Sequence, residues 1–124
     1  MNDCPFCRPE GLELVAELGT VYAIRDGYPV TAGHLLVIPR RHTPDFFSLT
    51  EEEKRDTLSL LDRLWREALA SDPTISGFNV GMNCGLAAGQ TIPHAHTHLI
   101  PRRDGDTPNP RGGVRGVIPE RMSY

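Results

Sequence analysis

The sequence lacks the features that would place the protein in a membrane or on a nucleic acid. No stretch approaches 18 consecutive apolar residues, and the N-terminus lacks the basic and then apolar order of a signal peptide. The net charge of −3 provides no excess of basic residues to attract polyphosphate backbones or anionic lipid. We therefore expect a soluble, cytoplasmic protein that binds neither nucleic acid nor membrane.

Cysteine is scarce, and motifs for P-loop nucleotide binding are missing. The three cysteines are an odd number, and two of them form the short motif Cys4-Pro-Phe-Cys7. In a reducing compartment this spacing is more typical of a metal or redox site than of a structural disulfide. Neither a P-loop glycine motif nor an acidic Mg²⁺-binding cluster occurs, which excludes a P-loop NTPase. At 124 residues, the chain has room for one domain.

Short apolar runs and one amphipathic segment predict an α+β fold with a mostly antiparallel, five-stranded sheet. The predicted strands occupy residues 13–18, 20–25, 34–38, 78–83 and 94–100. The predicted helix begins at a capping box of Thr50 and Glu53 and ends at Pro73. Its apolar stripe comprises Leu58, Leu61, Leu64, Trp65 and Ala68.

The C-terminal part of the chain differs in composition from the rest. From residue 104 onward, Gly, Pro and Arg dominate and the apolar periodicity disappears. We expect residues 1–103 to form the domain and residues 104–124 to form a tail or long loop. In that tail, Arg111 and Arg115 could reach a polyphosphate, because planar guanidinium groups match phosphate oxygens. A solvated tail without such a role is an equally good interpretation.

Three of the five histidines alternate in the segment of His94, His96 and His98. On a strand such residues share one face, at spacings of about 6.6 Å between neighbours and about 13 Å end to end. A single three-histidine zinc site is therefore the less natural geometry, although neighbouring rings could share an ion. A row of imidazoles with different tasks fits better, since each ring nitrogen can orient the next ring or a backbone group.

Two segments of the sequence resemble the histidine triad (HIT) family of nucleotide hydrolases and transferases. The segment GQTIPHAHTHLIPR (89–102) is similar to the family's signature, and GHLLVIPRRH (33–42) resembles its second recurring segment. The resemblance extends from about residue 4 to residue 101. The segment NPRGGVR (109–115) is also similar to the tail of some bacterial members.

The resemblance implies a nucleophilic role for the central histidine of the triad. His96 would attack the α-phosphorus of a nucleotide and form a nucleotidyl-histidine intermediate. A neutral imidazole nitrogen is a competent nucleophile near neutral pH. His98 and His34 would fix the tautomer of His96 and the neighbouring hydrogen bonds. Taken alone, His34 could also be an ordinary histidine at the start of a strand.

The resemblance also assigns residues that bind the substrate. Gln90 and Thr91 would hold the bridging or leaving oxygen, and Asn83 would help to bind the phosphate. Asp26 falls where the family places an acidic or amide residue on the ribose hydroxyls, and the Asp26-Gly27 turn would project it into the pocket. Without the family context, Asp26 could be a turn former and Asn83 could stabilise a strand end.

A zinc site is implied by the same resemblance. Cys4 and Cys7 alone form a weak half-site, because redox pairs and chance pairs have the same spacing. Many bacterial relatives complete it with histidines that correspond to His42 and His94 here. The resulting Cys₂His₂ set suits tetrahedral zinc with no open position, and such a zinc would be structural.

The sequence departs from the family pattern at three positions close to the motifs. Cys84 stands where an acidic residue is usual, Pro93 where a larger apolar residue is common, and Thr97 where the family has a bulkier residue. None of these changes replaces the nucleophile. They bear on substrate preference and on the packing of the strand.

We interpret the sequence as that of a homodimeric enzyme that cleaves a nucleotide at its α-phosphate. The preferred substrate is a dinucleoside polyphosphate of the diadenosine tetraphosphate type. Hydrolysis of a nucleoside phosphoramidate or an adenylylated amino acid is the alternative within the family. A nucleotide-binding regulatory dimer with negligible turnover is an alternative of another class. A third hypothesis makes the triad a catalytic metal site. Dimers of the family commonly form through the long helix and a neighbouring strand.

Overall fold

The computed structural model describes residues 3–124 and contains a five-stranded sheet with one long helix. The strands are β1 (Leu14–Leu18), β2 (Val21–Arg25), β3 (Leu35–Pro39), β4 (Gly77–Gly81) and β5 (Thr97–Arg102), and the helix is α1 (Glu51–Ser71). The strand order is β1-β2-β3-β5-β4, and every neighbouring pair is antiparallel. The predicted α+β class with an antiparallel five-stranded sheet is therefore confirmed.

Both faces of the central strands are covered, so β2 and β3 are almost continuously apolar and buried. Helix α1 covers one face, where Leu60 and Leu64 pack against residues such as Val21 and Val37. The N-terminal segment covers part of the other face, where Phe6 packs among the buried side chains of β2 and β3. The sheet therefore has a helix side and a second side on which a cleft can form.

The start of α1 is fixed by the predicted capping box. The Thr50 side chain accepts from the Glu53 backbone amide, and the Glu53 carboxylate accepts from the Thr50 amide. This arrangement satisfies two amides that the first turn of a helix leaves without partners. The helix ends at Ser71, two residues before Pro73.

The predicted apolar stripe of α1 is only partly correct, because Leu64 is buried and Leu61 packs against the core, whereas other members of the stripe are exposed. The buried positions are Glu53, Thr57, Leu60 and Leu64, whereas Leu58 is 68% exposed and Trp65 is 42% exposed. Thr57 and Glu53 belong to the inward face because they pack or pair there, which a purely apolar pattern does not detect. Trp65, which the stripe placed inward, lies instead beside β4, where it lines a shallow groove with Phe78 and Val80.

Two strand predictions also require correction. The predicted strand 94–100 is displaced, since β5 begins only at Thr97 and His94 and His96 precede it. Pro93 cannot donate to a ladder, and the His94 amide bonds instead to the Ile92 carbonyl. The predicted strand 78–83 ends at Gly81 as β4, so that Asn83 lies in the following loop.

The C-terminal residues contain two short 3₁₀ helices, Gly113–Val117 and Pro119–Arg121, that the sequence did not predict. The assignment of residues 104–124 to a separate tail stays a prediction. No helix among residues 3–124 is both long and apolar enough to cross a membrane.

Candidate active site and metal site

A cleft of about 700 Å³ opens on the face of the sheet opposite α1. This volume lies within the range typical of small-molecule sites. One wall is apolar and includes Phe6, Leu12, Ile24 and Leu36. The predicted site residues that line the cleft are Asp26, His34, Asn83, Thr91, His96 and His98.

The tautomer of His96 follows from one short contact. Nδ1 of His96 lies 2.8 Å from the backbone carbonyl oxygen of His94. A carbonyl oxygen can only accept, so Nδ1 carries the proton and Nε2 of the neutral ring keeps its lone pair. The ring is 8% exposed and lies edge-on against Phe6, with 5.1 Å between the centroids. His96 therefore presents a fixed, unprotonated nitrogen at the cleft.

His34 and His98 form a hydrogen-bonded pair whose proton positions are set by the backbone. The amide of Val30 donates to Nδ1 of His34 over 3.0 Å, so Nε2 of the neutral His34 ring carries the proton. Nε2 of His34 in turn lies 2.9 Å from Nδ1 of His98. His98 must then accept at Nδ1 and carry its own proton on Nε2. Burial lowers the pKa of both rings, which keeps them neutral.

The Asp26 carboxylate lies next to the pair of His34 and His98. One carboxylate oxygen accepts from the Tyr28 amide over 2.8 Å in the turn that the sequence predicts. The other oxygen lies 3.3 Å from Nε2 of His34, and its charge partly offsets the lowering of the His34 pKa. The cleft thus contains a carboxylate next to an imidazole pair.

Gln90 is placed differently from the other predicted substrate-binding residues. Its side-chain oxygen accepts from the Gly85 amide over 2.7 Å, and its amide nitrogen donates to the carbonyls of Pro44 and Ile92. The side chain is buried and ties the loop before the triad to the segment after β3. Thr91, by contrast, lines the cleft. Contact between Gln90 and a leaving oxygen stays a prediction.

Four potential metal ligands converge at one end of the sheet. The Sγ atoms of Cys4 and Cys7 and the Nδ1 atoms of His42 and His94 all lie within 4.8 Å of one another. Nδ1 of His94 is 3.3 Å from Sγ of Cys4 and 3.1 Å from Nδ1 of His42, and Sγ of Cys7 is 3.2 Å from Nδ1 of His42. Ligands held at about 2.0–2.3 Å in a tetrahedron are about 3.3–3.8 Å apart, so these separations fit zinc.

The hydrogen bonding of His94 also fits a metal ligand. Nε2 of His94 lies 2.7 Å from the carbonyl oxygen of Pro39, so Nε2 carries the proton and the lone pair of Nδ1 faces the two cysteines and His42. The residues present therefore suit a tetrahedral Cys₂His₂ ion. A bound zinc would join the N-terminal segment to β3 and to the triad, and it would have no open position for substrate.

The triad itself does not form one metal site. His94 faces the cysteines, His96 points its protonated nitrogen at a carbonyl, and His98 faces His34. A second candidate cluster of Asp26, His34 and His98 also exists by distance. The Val30 amide already donates to Nδ1 of His34, which places the His34 proton on the nitrogen that a metal would need. That cluster is better described as a hydrogen-bonded relay.

Sequence reasoning missed three contributors to the site. Two of them, the Val30 amide and the His94 carbonyl, are backbone groups that leave no signal in side-chain identity. The third is Phe6, whose ring contacts His96 and whose carbonyl accepts a hydrogen bond from the Tyr22 hydroxyl. Its position between two predicted zinc ligands was a usable signal, because a metal fixes the residues between its ligands.

The chain is similar to known proteins in both sequence and fold. The sequence model of the HIT domain family matches residues 12–105 of this chain. The AP-4-A phosphorylase of Mycobacterium tuberculosis is 37% identical over 98 residues, which cover 78% of this chain and 49% of that protein. The asymmetrical bis(5'-nucleosyl)-tetraphosphatase of Schizosaccharomyces pombe is 37% identical over 78 residues, covering 63% of this chain and 42% of its own length. The chain thus spans about half the length of these curated relatives or less.

Solved structures resemble the chain over more of its length. A crystal structure of a Zn-bound histidine triad family protein from Mycobacterium smegmatis matches with a TM-score of 0.78 and 34% identity. The match covers 86% of this chain and 80% of that one.

Proposed function

Because the chain belongs to the HIT family, we propose that it cleaves dinucleoside polyphosphates at the α-phosphate through a nucleotidyl-histidine intermediate. The observation that carries this proposal is the 2.8 Å contact between Nδ1 of His96 and the His94 carbonyl. It leaves Nε2 of His96 unprotonated and facing the cleft. The diadenosine tetraphosphate type is the preferred substrate, in keeping with the names of the two curated relatives.

The first step transfers the nucleotidyl group to the protein. Nε2 of His96 forms a bond to the α-phosphorus, and the bond from that phosphorus to the leaving phosphate oxygen breaks with its electron pair. The Nε2 proton of His98 is available to a phosphate oxygen because Nδ1 of His98 is occupied by His34. In the second step, water attacks the same phosphorus and the bond from phosphorus to Nε2 of His96 breaks, with its electron pair returning to the ring. One water proton stays on the released nucleoside monophosphate and the other passes to solvent.

The rest of the cleft would hold the nucleotide. The apolar wall of Phe6, Ile24 and Leu36 suits a base, and the Asp26 carboxylate would accept from the ribose hydroxyls. Thr91 and Asn83 would donate to phosphate oxygens. Gln90, which the family places on the leaving oxygen, would also keep the loop that presents Thr91 in place.

Zinc held by Cys4, Cys7, His42 and His94 would have a structural role. It supplies no reacting group in this proposal, since all four ligand positions are protein side chains. Its effect would be to fix the segment that contributes Phe6 and Leu12 to the cleft. A cytoplasmic location, where cysteines stay reduced, remains a prediction.

A homodimer would cover the exposed apolar side chains between α1 and β4. Trp65 and Val80 are 42% and 50% exposed, and with Leu61, Phe78 and Leu99 they surround a groove of about 300 Å³. β4 is also an edge strand with unpaired backbone groups, and edges of this kind are usually covered. Pairing through this face would extend the sheet into the partner.

The proposed reaction is tested by trapping the intermediate. Wild-type protein mixed with diadenosine tetraphosphate labelled in its adenylyl group is expected to form an acid-labile, alkali-stable adduct that maps to His96. His96→Ala is expected to form no adduct and to lose turnover by at least about 1,000-fold, which corresponds to about 4 kcal/mol. If His96→Ala hydrolyses the substrate as fast as wild type, the proposed function is wrong. Adenosine phosphoramidate in a parallel assay identifies the alternative substrate class.

A further inference from the structure

A second cavity, of about 680 Å³, lies next to the cleft. One side of it is formed by the parts of β4 and β5 that lie away from His98. The other side is formed by C-terminal residues, including Val117 and Met122. Val30 lines both this cavity and the cleft, so the two spaces meet at that residue. The loop that carries Val30 is anchored, because Thr31 donates to the Pro101 carbonyl over 2.6 Å and Arg103 donates to the Ala32 carbonyl.

The cleft and the second cavity lie over the same face of the sheet. His98, Ile100 and Arg102 alternate along β5 and therefore point to one side. The residues of β4 that pair with them are Gly81, Asn79 and Gly77. A Cβ built at Gly81 would meet nothing within 4 Å, so the space over β4 is open at the position that pairs with His98.

The C-terminal residues are packed against the body, which makes the cavity a defined space. Gly112 has a φ of +97°, and a Cβ there would collide with the Met122 carbonyl. A Cβ at Gly113 would lie 3.5 Å from the side-chain nitrogen of Asn79. Gly112 is thus required for the tight fold of the C-terminal residues, and Gly113 lies within contact distance of β4.

The charges around the second cavity favour a neutral occupant. Among the described residues that line it, the cation is Arg102, which donates to both carboxylate oxygens of Asp106 at 2.8 Å and to the Asn79 side-chain oxygen at 2.7 Å. A phosphate group would have to displace Asp106 from this bidentate pair. A nucleobase would instead gain apolar contact with Ile100, Val117 and Met122 and find polar groups at its edge.

We infer that the second cavity is the subsite for the distal nucleoside of a dinucleoside polyphosphate. The inference rests on the proposed function, which places the first nucleoside in the cleft and the α-phosphate at His96. The phosphate chain would pass over Gly81 and beside Val30, and the second base would lie on Ile100 beneath the C-terminal residues. The C-terminal segment would therefore select two-nucleoside substrates over nucleotides with a single nucleoside.

Binding to an inactive variant tests the subsite without turnover. The probes are diadenosine tetraphosphate and adenosine 5'-tetraphosphate, which have the same phosphate chain but differ by one nucleoside. Measured by calorimetry, His96→Ala is expected to bind diadenosine tetraphosphate about tenfold more tightly than adenosine 5'-tetraphosphate. Adding Val117→Trp, which fills the cavity from a position that is 72% exposed, should reduce this ratio to about one. Adding Ile118→Trp, on the same segment but outside the cavity lining, should leave the ratio at about ten.

The outcomes separate this inference from the proposed function. Equal affinities for the two probes in His96→Ala, or a Val117→Trp effect of the same size on both probes, would overturn the subsite. A tenfold preference without any adduct on His96 in the wild type would uphold the subsite and defeat the proposed reaction. Melting curves of the two tryptophan variants, expected to match that of His96→Ala, exclude misfolding as the cause.

Discussion

The backbone amide of Val30 donates to Nδ1 of His34, and this one bond sets the protons of two rings. His34 must carry its proton on Nε2, and His98, which faces it at 2.9 Å, must accept at Nδ1. His96 has the opposite tautomer, because its Nδ1 faces the His94 carbonyl. The site therefore contains two tautomers side by side, and each is imposed by a backbone group.

These tautomers are directly measurable. Long-range ¹H–¹⁵N spectra at pH 8 should show His34 and His98 protonated at Nε2 and His96 protonated at Nδ1. Because burial lowers the pKa of His34 and His98, their ring signals should remain those of neutral imidazole down to below pH 6.5. An Nδ1-protonated His98 would contradict the relay.

Replacing His34 tests whether the relay contributes to the reaction. His34→Ala removes the donor to His98 and should slow adduct formation by roughly 100-fold, the lower end of general acid–base effects. His34→Gln keeps a side-chain N–H that can reach His98, and it should retain more of the rate. Rapid-quench measurement of the adduct isolates this step from product release. Equal rates for His34→Ala and wild type would assign His34 a purely structural role.

Removal of the metal should affect stability and binding more than chemistry. The proposed zinc ligands Cys4 and Cys7 flank Phe6, which forms part of the cleft wall. Chelation, or Cys7→Ser, should lower the melting temperature by roughly 5–15 °C through loss of binding to the folded state. It should raise the KM while adduct formation on His96 persists at saturating substrate. Loss of the adduct in proportion to the metal removed, with the fold intact, would instead support a catalytic metal.

Much of the fold was predictable because local signals agreed with it. Thr50 and Glu53 identify the start of the helix, and the apolar run after His34 identifies the central strand β3. The prediction went wrong where tertiary contacts decide. Leu58 has the same helical spacing as a core residue and is nevertheless exposed, because the inward face is completed by Thr57 and by the paired Glu53.

The candidate site was predictable only as a set of side chains. Motif resemblance brought Asp26, His34, His96 and His98 together, and the structure places all four around one cleft. The proton on each ring could not be predicted, since it depends on the carbonyl of His94 and the amide of Val30. The alternation of the triad predicts that His94 shares a strand face with His96 and His98. In the structure His94 precedes β5 and faces the cysteines instead.

The ion pair of Arg41 and Glu53 should make stability depend on pH. The Arg41 guanidinium donates to both carboxylate oxygens of Glu53 at 2.9 and 3.0 Å, and it holds the pKa of that carboxyl below its usual range. A lowered pKa means that the stabilisation is present above the unfolded value of about 4.5 and is lost as the pH falls through the folded value. Glu53→Gln should cost about 1.5 kcal/mol at pH 7.

Urea unfolding at pH 7 and pH 3 measures this effect. The difference in stability between wild type and Glu53→Gln should be smaller at pH 3 than at pH 7, because protonation of the wild-type carboxyl increases as the pH falls toward its lowered pKa. Glu51→Gln is the matched control, because Glu51 is exposed in the same helical turn, and it should change stability by less than about 0.5 kcal/mol. A constant difference across the pH range would show that the charge of Glu53 is not the cause.

The proposed dimer predicts a different response from two exposed apolar positions. Val80 is 50% exposed on the edge strand β4 beside Trp65, and Leu86 is 89% exposed in the loop that follows. Val80→Glu would bury a carboxylate between two copies of the chain, and an unpaired buried charge costs several kcal/mol. Light scattering should therefore find a monomer for Val80→Glu and a dimer for both wild type and Leu86→Glu. A wild-type monomer at micromolar concentration would refute the dimer, and a dimeric Val80→Glu would move the interface away from β4.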